Sequence, residues 1–383
     1  MVHASMRICI TVNAAWNIWN FRRPLVETLL REGHSIHILA PRDAEACKLV
    51  EIGCHFHHLD MDRKGLNPLG GLSLVRSYGQ AFDSIGPDIV LGFTIKNNLF
   101  GIMAARKRAI PFIPNVTGLG TAFLGGVLLR RISIALYRNA FRNCPVVFFQ
   151  NRDDFEMFQS LGIVSQGQGR VIPGSGIDLS HFLPTPLPTG IKTTFLMIAR
   201  LLRDKGVLEY IEAAKMILAE GLEAKFQLLG PLDPANRTAI SALEIEEWSM
   251  FDGIEYLGTS EDTRVEITKA NCVVLPSYRE GAPRTLIEAA AMQRPLIATD
   301  VPGCTAVVDD GENGLLCRAH DAGDLAAKMR IFLNMSASEQ SAMGKCSRRK
   351  MEREFDASIV TDAYRAAIQE LTGSKLALDS SAL

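Results

Sequence analysis

No two of the chain's eight cysteines form a Cys-x-x-Cys pair, and several of them lie inside apolar runs. Cys272, for example, is part of the run Asn-Cys-Val-Val-Leu, a typical setting for a small buried hydrophobic side chain. The cysteines therefore indicate neither a disulfide framework nor a zinc site. We expect them to remain reduced thiols, and we predict a cytoplasmic location.

The sequence also lacks any run of about 18 uncharged apolar residues, which a transmembrane helix would need. Residues 1–5 contain neither a basic segment nor the start of a long apolar stretch, so we expect no signal peptide. Lysine and arginine number 41 and the acidic residues 42, which leaves a formal net charge of −1. Such a balance gives no global attraction to nucleic acid, and we predict no nucleic-acid partner.

Short apolar runs alternate with stretches of helical period along most of the 383 residues. The strand candidates of the first half are Arg7–Val12, Ser35–Ala40, Cys54–Leu59, Asp88–Phe93, Pro111–Val116 and Val146–Gln150. The helices expected in the second half include Val207–Ala219, Ala235–Trp248 and Arg284–Met292. Because apolar strands separated by helices are typical of parallel sheets covered on both faces, we predict an α/β protein with two Rossmann-like, doubly wound domains.

A glycine- and proline-rich stretch from Gly174 to Gly190 interrupts this alternation and marks a connection between domains. We predict a first domain over residues 1–178, a linker over 179–193 and a second domain over 194–355. A C-terminal helix and tail, 356–383, should pack back toward the first domain. Since open α/β sheets bind ligands at the carboxyl ends of their strands, we expect the two domains to face each other across a ligand cleft.

The most informative segment runs from Pro276 to Glu288 and connects an apolar strand to a helix. It reads Pro-Ser-Tyr-Arg-Glu-Gly-Ala-Pro-Arg-Thr-Leu-Ile-Glu. Gly281 allows a ligand to approach the backbone closely, and Pro283 suits a first helical turn. The amide groups of residues 284–286 would begin the helix, where unpaired donors favour a phosphate anion.

Two carboxylates flank these amides, Glu280 in the loop and Glu288 inside the helix. Carboxylate oxygens accept hydrogen bonds from hydroxyl groups, and a nucleotide sugar carries a hexose diol, a diphosphate and a ribose diol in that order. The pattern therefore predicts a nucleotide-sugar site. The alternative is a helix start with acidic residues that only stabilise the helix dipole, and the strand–glycine–proline–helix context makes it the weaker one.

A second, basic element, Ile-Ala-Arg-Leu-Leu-Arg-Asp-Lys-Gly, follows the first strand of the second domain. Its Arg200 and Lys205 would lie at a strand end and a helix start, where a planar fork and a point charge suit a diphosphate. Both would stabilise charge on a departing nucleoside diphosphate, and we assign catalysis to these two residues together with Glu280. Gly230 would bring a further loop near the phosphates.

Together these segments resemble the retaining glycosyltransferases of family GT4. The resemblance rests on Ala-Arg-Leu…Lys-Gly at 199–206, Leu-Pro-Ser-Tyr-Arg-Glu-Gly-Ala-Pro…Leu-Ile-Glu-Ala at 275–289, Pro-Leu-Ile-Ala-Thr-Asp-Val-Pro-Gly-Cys at 295–304 and Asn-Gly-Leu-Leu-Cys at 313–317. It covers nearly the whole second domain and the Pro-Gly-Ser-Gly-Ile-Asp stretch at 173–178.

The resemblance implies the GT-B fold, a nucleoside-diphosphate-sugar donor with uridine as the expected base, retention of the anomeric configuration, and neither a cofactor nor a metal ion. It also implies that Arg200 and Lys205 bind the diphosphate, that Glu280 binds the donor sugar and that Glu288 binds the ribose. Residues 257–259 would lie near the base. The predicted donor-binding residues are Arg200, Lys205, Gly230, Glu280, Gly281, Ala282, Pro283, Arg284, Thr285, Leu286 and Glu288.

Three loops of the first domain, at 13–23, 94–98 and 115–120, resemble a GT4 branch typified by N-acetylgalactosaminyltransferases. That branch extends undecaprenyl-diphosphate-linked sugars and carries similar Phe-Arg, Lys-x-Asn and Gly-Leu-Gly patterns. The resemblance implies a lipid-linked saccharide acceptor with Arg22 and Lys96 on its diphosphate, although a solvated helix residue is an equal alternative for Arg22. The predicted acceptor-binding residues are Asn17, Arg22, Lys96, Asn98 and Thr117.

The stretch 124–142 combines apolar residues with four arginines, Arg130, Arg131, Arg138 and Arg142. Basic amphipathic helices lie on anionic membranes, so a lipid-linked acceptor would favour peripheral membrane contact here over the alternative of an ordinary packed helix. Neither the histidines at 55, 57 and 58 nor the Asp-Met-Asp at 60–62 has a ligand pattern that predicts a metal site.

Three interpretations therefore remain open. The first is transfer of a hexose or N-acetylhexosamine to a lipid-diphosphate-linked saccharide during surface polysaccharide or glycan assembly. The second is transfer to a soluble acceptor such as a small alcohol or a sugar phosphate. The third is a nucleotide-sugar-binding module without catalysis, which the joint presence of the basic and acidic donor residues disfavours.

Overall fold

The computed structural model describes residues 5–61, 68–118, 127–190, 192–234 and 236–379. The chain divides into two compact units, one formed by the residues up to Gly176 together with those from Ala357 onward, and the other by Ile177–Asp356. Each unit contains one parallel sheet with its own buried core. None of the helices in the described ranges is long and apolar enough to cross a membrane.

The first unit is built on a seven-stranded sheet with the strand order β3-β2-β1-β4-β5-β6-β7. Its strands are β1 (Arg7–Thr11), β2 (Ser35–Ala40), β3 (His55–His58), β4 (Ile89–Phe93), β5 (Phe112–Val116), β6 (Val147–Phe149) and β7 (Gly169–Val171). Its helices up to residue 160 are α1 (Ala15–Phe21), α2 (Arg23–Arg31), α3 (Glu45–Glu51), α4 (Pro68–Ile85), α5 (Ile95–Arg106), α6 (Val127–Phe141) and α7 (Arg152–Ser160). All five residues of β4 are buried, as a continuous apolar run in a parallel sheet requires.

The second unit has six parallel strands in the order β10-β9-β8-β11-β12-β13. They are β8 (Thr193–Ile198), β9 (Ala224–Leu229), β10 (Ile254–Tyr256), β11 (Cys272–Leu275), β12 (Leu296–Thr299) and β13 (Gly314–Cys317). Its helices are α8 (Val207–Ala219), α9 (Ala242–Ser249), α10 (Thr263–Lys269), α11 (Arg284–Ala291), α12 (Cys304–Val307), α13 (Ala322–Leu333) and α14 (Ala337–Lys350). The structure thus bears out the prediction of two parallel, doubly wound sheets.

The last helix, α15 (Ala357–Asp379), belongs to the first unit. Val360, Tyr364 and Ile368 on this helix are buried in the same core as strands β1, β2 and β4. The ring of Tyr364 packs against Phe148 with 4.6 Å between ring centroids. The helix therefore contributes to the core of the first sheet, although about 180 residues of the second unit separate it in sequence from the rest of that core.

Several sequence predictions differ from the structure. The helix expected over 235–248 begins only at Ala242, because Ser241 forms a capping box with Glu244 that starts the helix there; residue 235 lies outside the described ranges. Helix α7 has no counterpart among the predictions, although Asn151 caps it by accepting a hydrogen bond from the amide of Asp154. Residues 179–193, expected to be a linker, lie within the second unit, where the Thr185 carbonyl accepts a hydrogen bond from Arg294 at 2.8 Å.

Six of the eight cysteines are buried, as their apolar surroundings suggest. Burial raises the pKa of Cys9 to about 12, so this thiol stays protonated at neutral pH. Cys47 is exposed and Cys346 is partly buried. Most of the cysteines therefore behave as core side chains.

Candidate active site

The sheet of the second unit reverses its direction of winding between β8 and β11, which are hydrogen-bonded neighbours. At such a switch point the loops that follow the two strands diverge, and open α/β sheets bind ligands in the space between them. Residues 199–206 follow β8, and residues 276–283 follow β11. Both of the motifs that the sequence singled out therefore lie at the one position where this topology favours a ligand.

Lys205 and Glu280 meet at this switch point. The Nζ atom of Lys205 is 2.5 Å from Oε1 of Glu280, and the two side chains are only 19% and 13% exposed. Gly206, which follows the lysine, has a φ of +76°, and a Cβ atom there would lie 2.0 Å from the carbonyl oxygen of Pro276. A glycine is therefore required for the two loops to approach closely enough for the ion pair.

Hydrogen bonds fix the loop after β11 in this position. The amide of Tyr278 donates to the carbonyl oxygen of Asp204 at 3.0 Å, and the hydroxyl of Thr299 donates to the carbonyl oxygen of Ser277. The hydroxyl of Tyr278 donates to Glu209 at 2.8 Å. Burial, together with that hydrogen bond, raises the pKa of Tyr278 well above its usual range, so the tyrosine remains a neutral donor.

Gly303 supports Glu280 from the other side. Its φ is +86°, and a Cβ atom there would lie 2.5 Å from the carbonyl oxygen of Glu280 and 2.8 Å from that of Gly281. The amide of Glu280 lies 3.4 Å from the carbonyl oxygen of Pro302, to which it donates. Gly303 has no predicted role in the site, because only the folded chain brings residue 303 against residue 280.

Arg200 lies on the same loop as Lys205, and Gly230 lies on the loop that follows β9 at the same edge of the sheet. Arg200 is 56% exposed, and its Nη1 is 3.6 Å from Oδ2 of Asp233. Gly230 has a φ of +148°, and a Cβ there would lie 1.8 Å from the carbonyl oxygen of Ala199, next to Arg200. The amide of Gly230 donates to Gly258 at 2.8 Å, which brings the 257–259 segment to the same edge. The predicted phosphate and base residues therefore belong to adjoining loops.

Helix α11 begins directly after the loop that carries Glu280. Its N-cap is Pro283, which has an extended ψ of 99° and provides no side-chain cap. The amide of Leu286 donates to the carbonyl oxygen of Pro283 at 3.1 Å, and its side chain is fully buried. Leu286, predicted as a donor contact, therefore uses its amide within the helix start and its side chain in the core.

Glu288 lies one turn further along α11 and is 8% exposed. Nε of Arg284 donates to its Oε1 at 2.8 Å, and the hydroxyl of Thr263 donates to its Oε2 at 3.0 Å. Each carboxylate oxygen thus already accepts one hydrogen bond. The sequence did not indicate Thr263, because it stands 25 residues away on α10.

The first unit has its own switch point, between β1 and β4. Thr94, at the end of β4, has a φ of +69°, which is unusual for a β-branched residue. Its hydroxyl donates to Asn97 at 2.7 Å, and Asn97 in turn donates to the hydroxyl of Thr11 at 2.9 Å. Buried polar groups therefore join the loop after β4 to strand β1.

The predicted acceptor residues occupy different environments around this edge. Arg22 is 6% exposed, its guanidinium carbon lies 3.9 Å from the centroid of the Phe93 ring, and its Nη1 donates to Asn17. Arg22 is therefore not a solvated helix residue. Asn98 is 1% exposed and donates to the carbonyl oxygen of Asn115 at 2.8 Å, so it holds the end of β5. Lys96 and Thr117 are half-buried, in the first turn of α5 and after β5 respectively.

The basic stretch 124–142 forms α6 from Val127 onward, and residues 124–126 lie outside the described ranges. Arg130, Arg131 and Ile132 are exposed. Arg138 instead donates to the carbonyl oxygen of Leu161 at 2.6 Å and joins α6 to the end of α7. Arg130 and Arg131 therefore form an exposed basic surface beside Ile132, Arg142 is exposed just after the helix, and Arg138 makes a structural contact.

The histidines of β2 and β3 form a stacked cluster. The His37 ring lies 4.8 Å from that of His55, and its Nδ1 is 3.0 Å from Nε2 of His57. Within the described ranges, no group of three or more histidine, cysteine or acidic side chains has the geometry to hold a metal ion. Of the Asp-Met-Asp at 60–62, Asp62 lies outside those ranges, and Asp60 pairs with His58 at 2.9 Å.

Comparisons with known families identify the class of protein. Residues 7–151 match a model described as "Glycosyl transferase 4-like", and residues 192–335 match one described as "Glycosyl transferases group 1". The two matches fall on the two units and include both switch points. The chain therefore belongs to the glycosyltransferases and has the GT-B fold, which confirms the family, the fold and the enzyme class predicted from the sequence.

Similar proteins fit this class. The N,N'-diacetylbacillosaminyl-diphospho-undecaprenol alpha-1,3-N-acetylgalactosaminyltransferase of Campylobacter jejuni is 28% identical over 345 residues, which are 86% of this chain and 89% of the relative. The capsular polysaccharide biosynthesis glycosyltransferase CapM of Staphylococcus aureus is 27% identical over 191 residues, 46% of this chain and 47% of the relative. The structure of Anabaena HepE, solved with UDP and glucose, superposes on this chain with a TM-score of 0.79 at 16% sequence identity. The superposition covers 95% of this chain and 100% of HepE.

Proposed function

We propose that the chain transfers a hexose or N-acetylhexosamine, with retention of the anomeric configuration, from a UDP-linked donor to a lipid-diphosphate-linked saccharide. The observation that supports the donor half is the contact of Lys205 with Glu280 at the switch point of the second sheet, with Glu288 on the helix that follows. In this proposal Glu280 binds hydroxyls of the donor sugar, Glu288 binds the ribose diol, and the diphosphate lies between them near the start of α11.

Positive charge from Arg200 and Lys205 would stabilise the diphosphate as it departs. Lys205 is largely buried, so its charge acts in a medium of lower dielectric than water, where electrostatic stabilisation is stronger. Arg200 is more exposed and lies near Asp233, and a bound diphosphate would compete with that carboxylate for the guanidinium. Because these two cations supply the charge, the proposal requires neither a metal ion nor a cofactor.

The acceptor half is supported by the name of the Campylobacter relative, which acts on an undecaprenyl-diphosphate-linked sugar. Lys96 lies beside the strained residue Thr94 at the switch point of the first sheet, where an anionic group of an acceptor would find a cation. Arg22 would act through its contact with Asn17 and so shape the first loop. Surface polysaccharide or glycan assembly is the process that we infer for such an acceptor.

Glu280→Gln tests the donor assignment, with the exposed Glu247→Gln on α9 as a matched control. Titration calorimetry would measure binding of UDP, UDP-N-acetylgalactosamine, UDP-N-acetylglucosamine, UDP-glucose and GDP-mannose. We expect the preferred UDP-sugar to bind about tenfold more weakly to Glu280→Gln, since a charged hydrogen bond to a hydroxyl is lost. UDP itself should bind no more weakly, because the variant releases Lys205 from its ion pair. Equal loss for UDP and UDP-sugar would refute the assignment of Glu280 to the sugar.

Transfer assays would separate the acceptor classes. Radiolabelled donor would be incubated with an undecaprenyl-diphosphate-linked sugar, with the same saccharide lacking lipid, and with inositol phosphate. We expect transfer only to the lipid-linked saccharide. Product formed with inositol phosphate alone would support a soluble acceptor instead, and donor binding without any product would support a non-catalytic module.

The proposed membrane contact is tested separately with vesicles that contain anionic phospholipid. Arg130→Glu and Arg131→Glu reverse the exposed charges of α6 and spare the structural contact of Arg138. Arg152→Glu on α7, where Arg152 is 82% exposed, is the control. We expect the α6 variants to sediment less with vesicles than the control, and equal sedimentation of all three proteins would disprove the contact.

A further inference from the structure

Glu288 is held by two donors from different parts of the second unit. Nε of Arg284 reaches Oε1 at 2.8 Å from the preceding turn of α11, and the Thr263 hydroxyl reaches Oε2 at 3.0 Å from the first residue of α10. Glu288 as a whole is 8% exposed. Because the two donors engage different oxygens, they fix both the position and the rotation of the carboxylate plane.

Each carboxylate oxygen has room for about two hydrogen bonds, so one acceptor direction per oxygen remains for a ligand. One remaining acceptor direction on each oxygen of a fixed carboxylate suits a pair of neighbouring hydroxyls. A ligand with only one of these hydroxyls would leave a buried acceptor direction without a partner, which strongly disfavours its binding. Selectivity for a diol therefore depends on the orientation of the carboxylate as well as on its presence.

The helix that carries Glu288 does not need these contacts in order to fold. Leu286, Ile287 and Ala289–Ala291 anchor α11 in the core of the second unit with at most 1% exposure. The Arg284–Glu288 pair is itself largely buried, with side chains 19% and 11% exposed, and the Arg284 guanidinium lies 5.7 Å from the centroid of the Phe182 ring. Since apolar side chains already anchor the helix, the main effect of this pair is on the orientation of the Glu288 carboxylate.

We propose that Arg284 and Thr263 are positioning residues that orient the Glu288 carboxylate toward the 2′- and 3′-hydroxyls of the donor nucleoside and so make the site select ribonucleotides over deoxyribonucleotides. The inference rests on the proposed assignment of Glu288 to the ribose. Arg284 acts through Oε1 and Thr263 through Oε2, and neither residue needs to touch the ribose itself. Arg284 is predicted from the sequence to contact the donor through its backbone amide, whereas this positioning role belongs to its side chain.

The test compares the dissociation constants of UDP and 2′-deoxy-UDP, measured by titration calorimetry. The variants are Arg284→Met, Thr263→Val and Thr263→Ser, with Lys269→Met as the control because Lys269 forms an exposed pair with Glu266 on the same helix as Thr263. We expect the wild-type protein to bind UDP at least tenfold more tightly than 2′-deoxy-UDP. Arg284→Met and Thr263→Val should each lower that ratio at least threefold, and Thr263→Ser, which keeps the hydroxyl, should restore it.

A variant that only loosened the fold would weaken both nucleotides equally and leave the ratio unchanged, so an unchanged ratio in Arg284→Met and Thr263→Val overturns the proposal. Glu288→Gln separates this failure from that of the proposed function. If Glu288→Gln lowers the ratio and Arg284→Met does not, the ribose assignment stands and the positioning role is wrong. If Glu288→Gln also keeps the wild-type ratio, the ribose assignment itself is wrong.

Discussion

Gly303 lies against the backbone of Glu280, and a single added methyl group there would displace the loop without changing any polar side chain. In Gly303→Ala the new Cβ would stand 2.5 Å from the Glu280 carbonyl oxygen and 2.8 Å from that of Gly281. Ordinary contacts between heavy atoms are about 1 Å longer. The loop that carries Glu280 must therefore move by roughly 0.5–1 Å.

The free-energy effect of this substitution has two parts. At Gly303 φ is +86° and ψ is −43°, outside the left-handed helical region, so a residue with a Cβ there loses more than about 1 kcal/mol relative to glycine. The control Gly311→Ala also places a Cβ at a positive φ, +79°, and no described heavy atom lies within 4 Å of that Cβ. Only Gly303→Ala adds the displacement of Glu280, and misplacement of a binding group by about 1 Å lowers the rate about 10²-fold.

We therefore expect Gly303→Ala to lower kcat/KM for the preferred UDP-sugar about 10²-fold, measured as donor hydrolysis or transfer, and Gly311→Ala to leave it within about twofold. Urea unfolding should show a loss of about 1 kcal/mol for Gly311→Ala and a larger loss for Gly303→Ala. If Gly303→Ala keeps wild-type activity while folded, the placement of Glu280 by this contact plays no part in the reaction. Equal loss of activity in both variants would also refute the argument.

Three further predictions concern stability and are checked by urea unfolding. Arg294 is fully buried, and its five guanidinium N–H groups lie within hydrogen-bonding distance of six carbonyl and hydroxyl oxygens. Arg294→Met should therefore cost about 3 kcal/mol, and a loss below about 1 kcal/mol would contradict this. Burial and the neighbouring histidines lower the pKa of His37 to about 4, so the folded state binds fewer protons than the unfolded state between pH 4 and 6.5, and stability should fall as pH drops through that window. In His37→Gln the loss of stability across this pH window should be smaller by about 1 kcal/mol, a figure reduced because His37 is partly exposed. A pH profile of stability identical to that of the wild-type protein would refute this prediction. Tyr364→Phe leaves the buried amide of Asn115 without its acceptor and should cost about 1–3 kcal/mol, and a neutral effect would show that another group accepts the bond.

The order of strands and helices was largely predictable, because buried apolar runs and helical periods are local properties of the chain. The start of α9 was not predicted correctly. The helix-like pattern of apolar residues continues before Ala242, whereas the capping box of Ser241 and Glu244 begins the helix at that residue. Helix α7 was missed for the opposite reason. Its nine residues, Arg-Asp-Asp-Phe-Glu-Met-Phe-Gln-Ser, carry too few apolar positions for a clear period, and the cap at Asn151 was the available signal.

The acceptor side was harder to predict than the donor side. Polar side chains after strands suggested binding, but Arg22 and Asn98 are buried and hold the loops of the first unit together. A sequence does not distinguish a polar residue that faces a ligand from one that satisfies a buried backbone group, because both follow strands and both are hydrophilic. The folded chain adds their hydrogen-bond partners, Asn17 for Arg22 and the Asn115 carbonyl oxygen for Asn98.

By itself, the sequence determined the class of protein and the order in which the donor-binding groups follow one another along the chain. Glu280, the helix start and Glu288 lie within nine residues, so the chemistry of this local pattern can be inferred without knowledge of the fold. Only the tertiary structure decided which distant groups complete it. The parallel sheet brings Lys205 to Glu280 across 75 residues, since neighbouring strands in it are distant in sequence. Packing of α15 in the core of the first unit brings Tyr364 to Asn115 across 249 residues. Close approaches such as that of Gly303 to Glu280 depend on the path of the folded backbone, and no local pattern encodes that path.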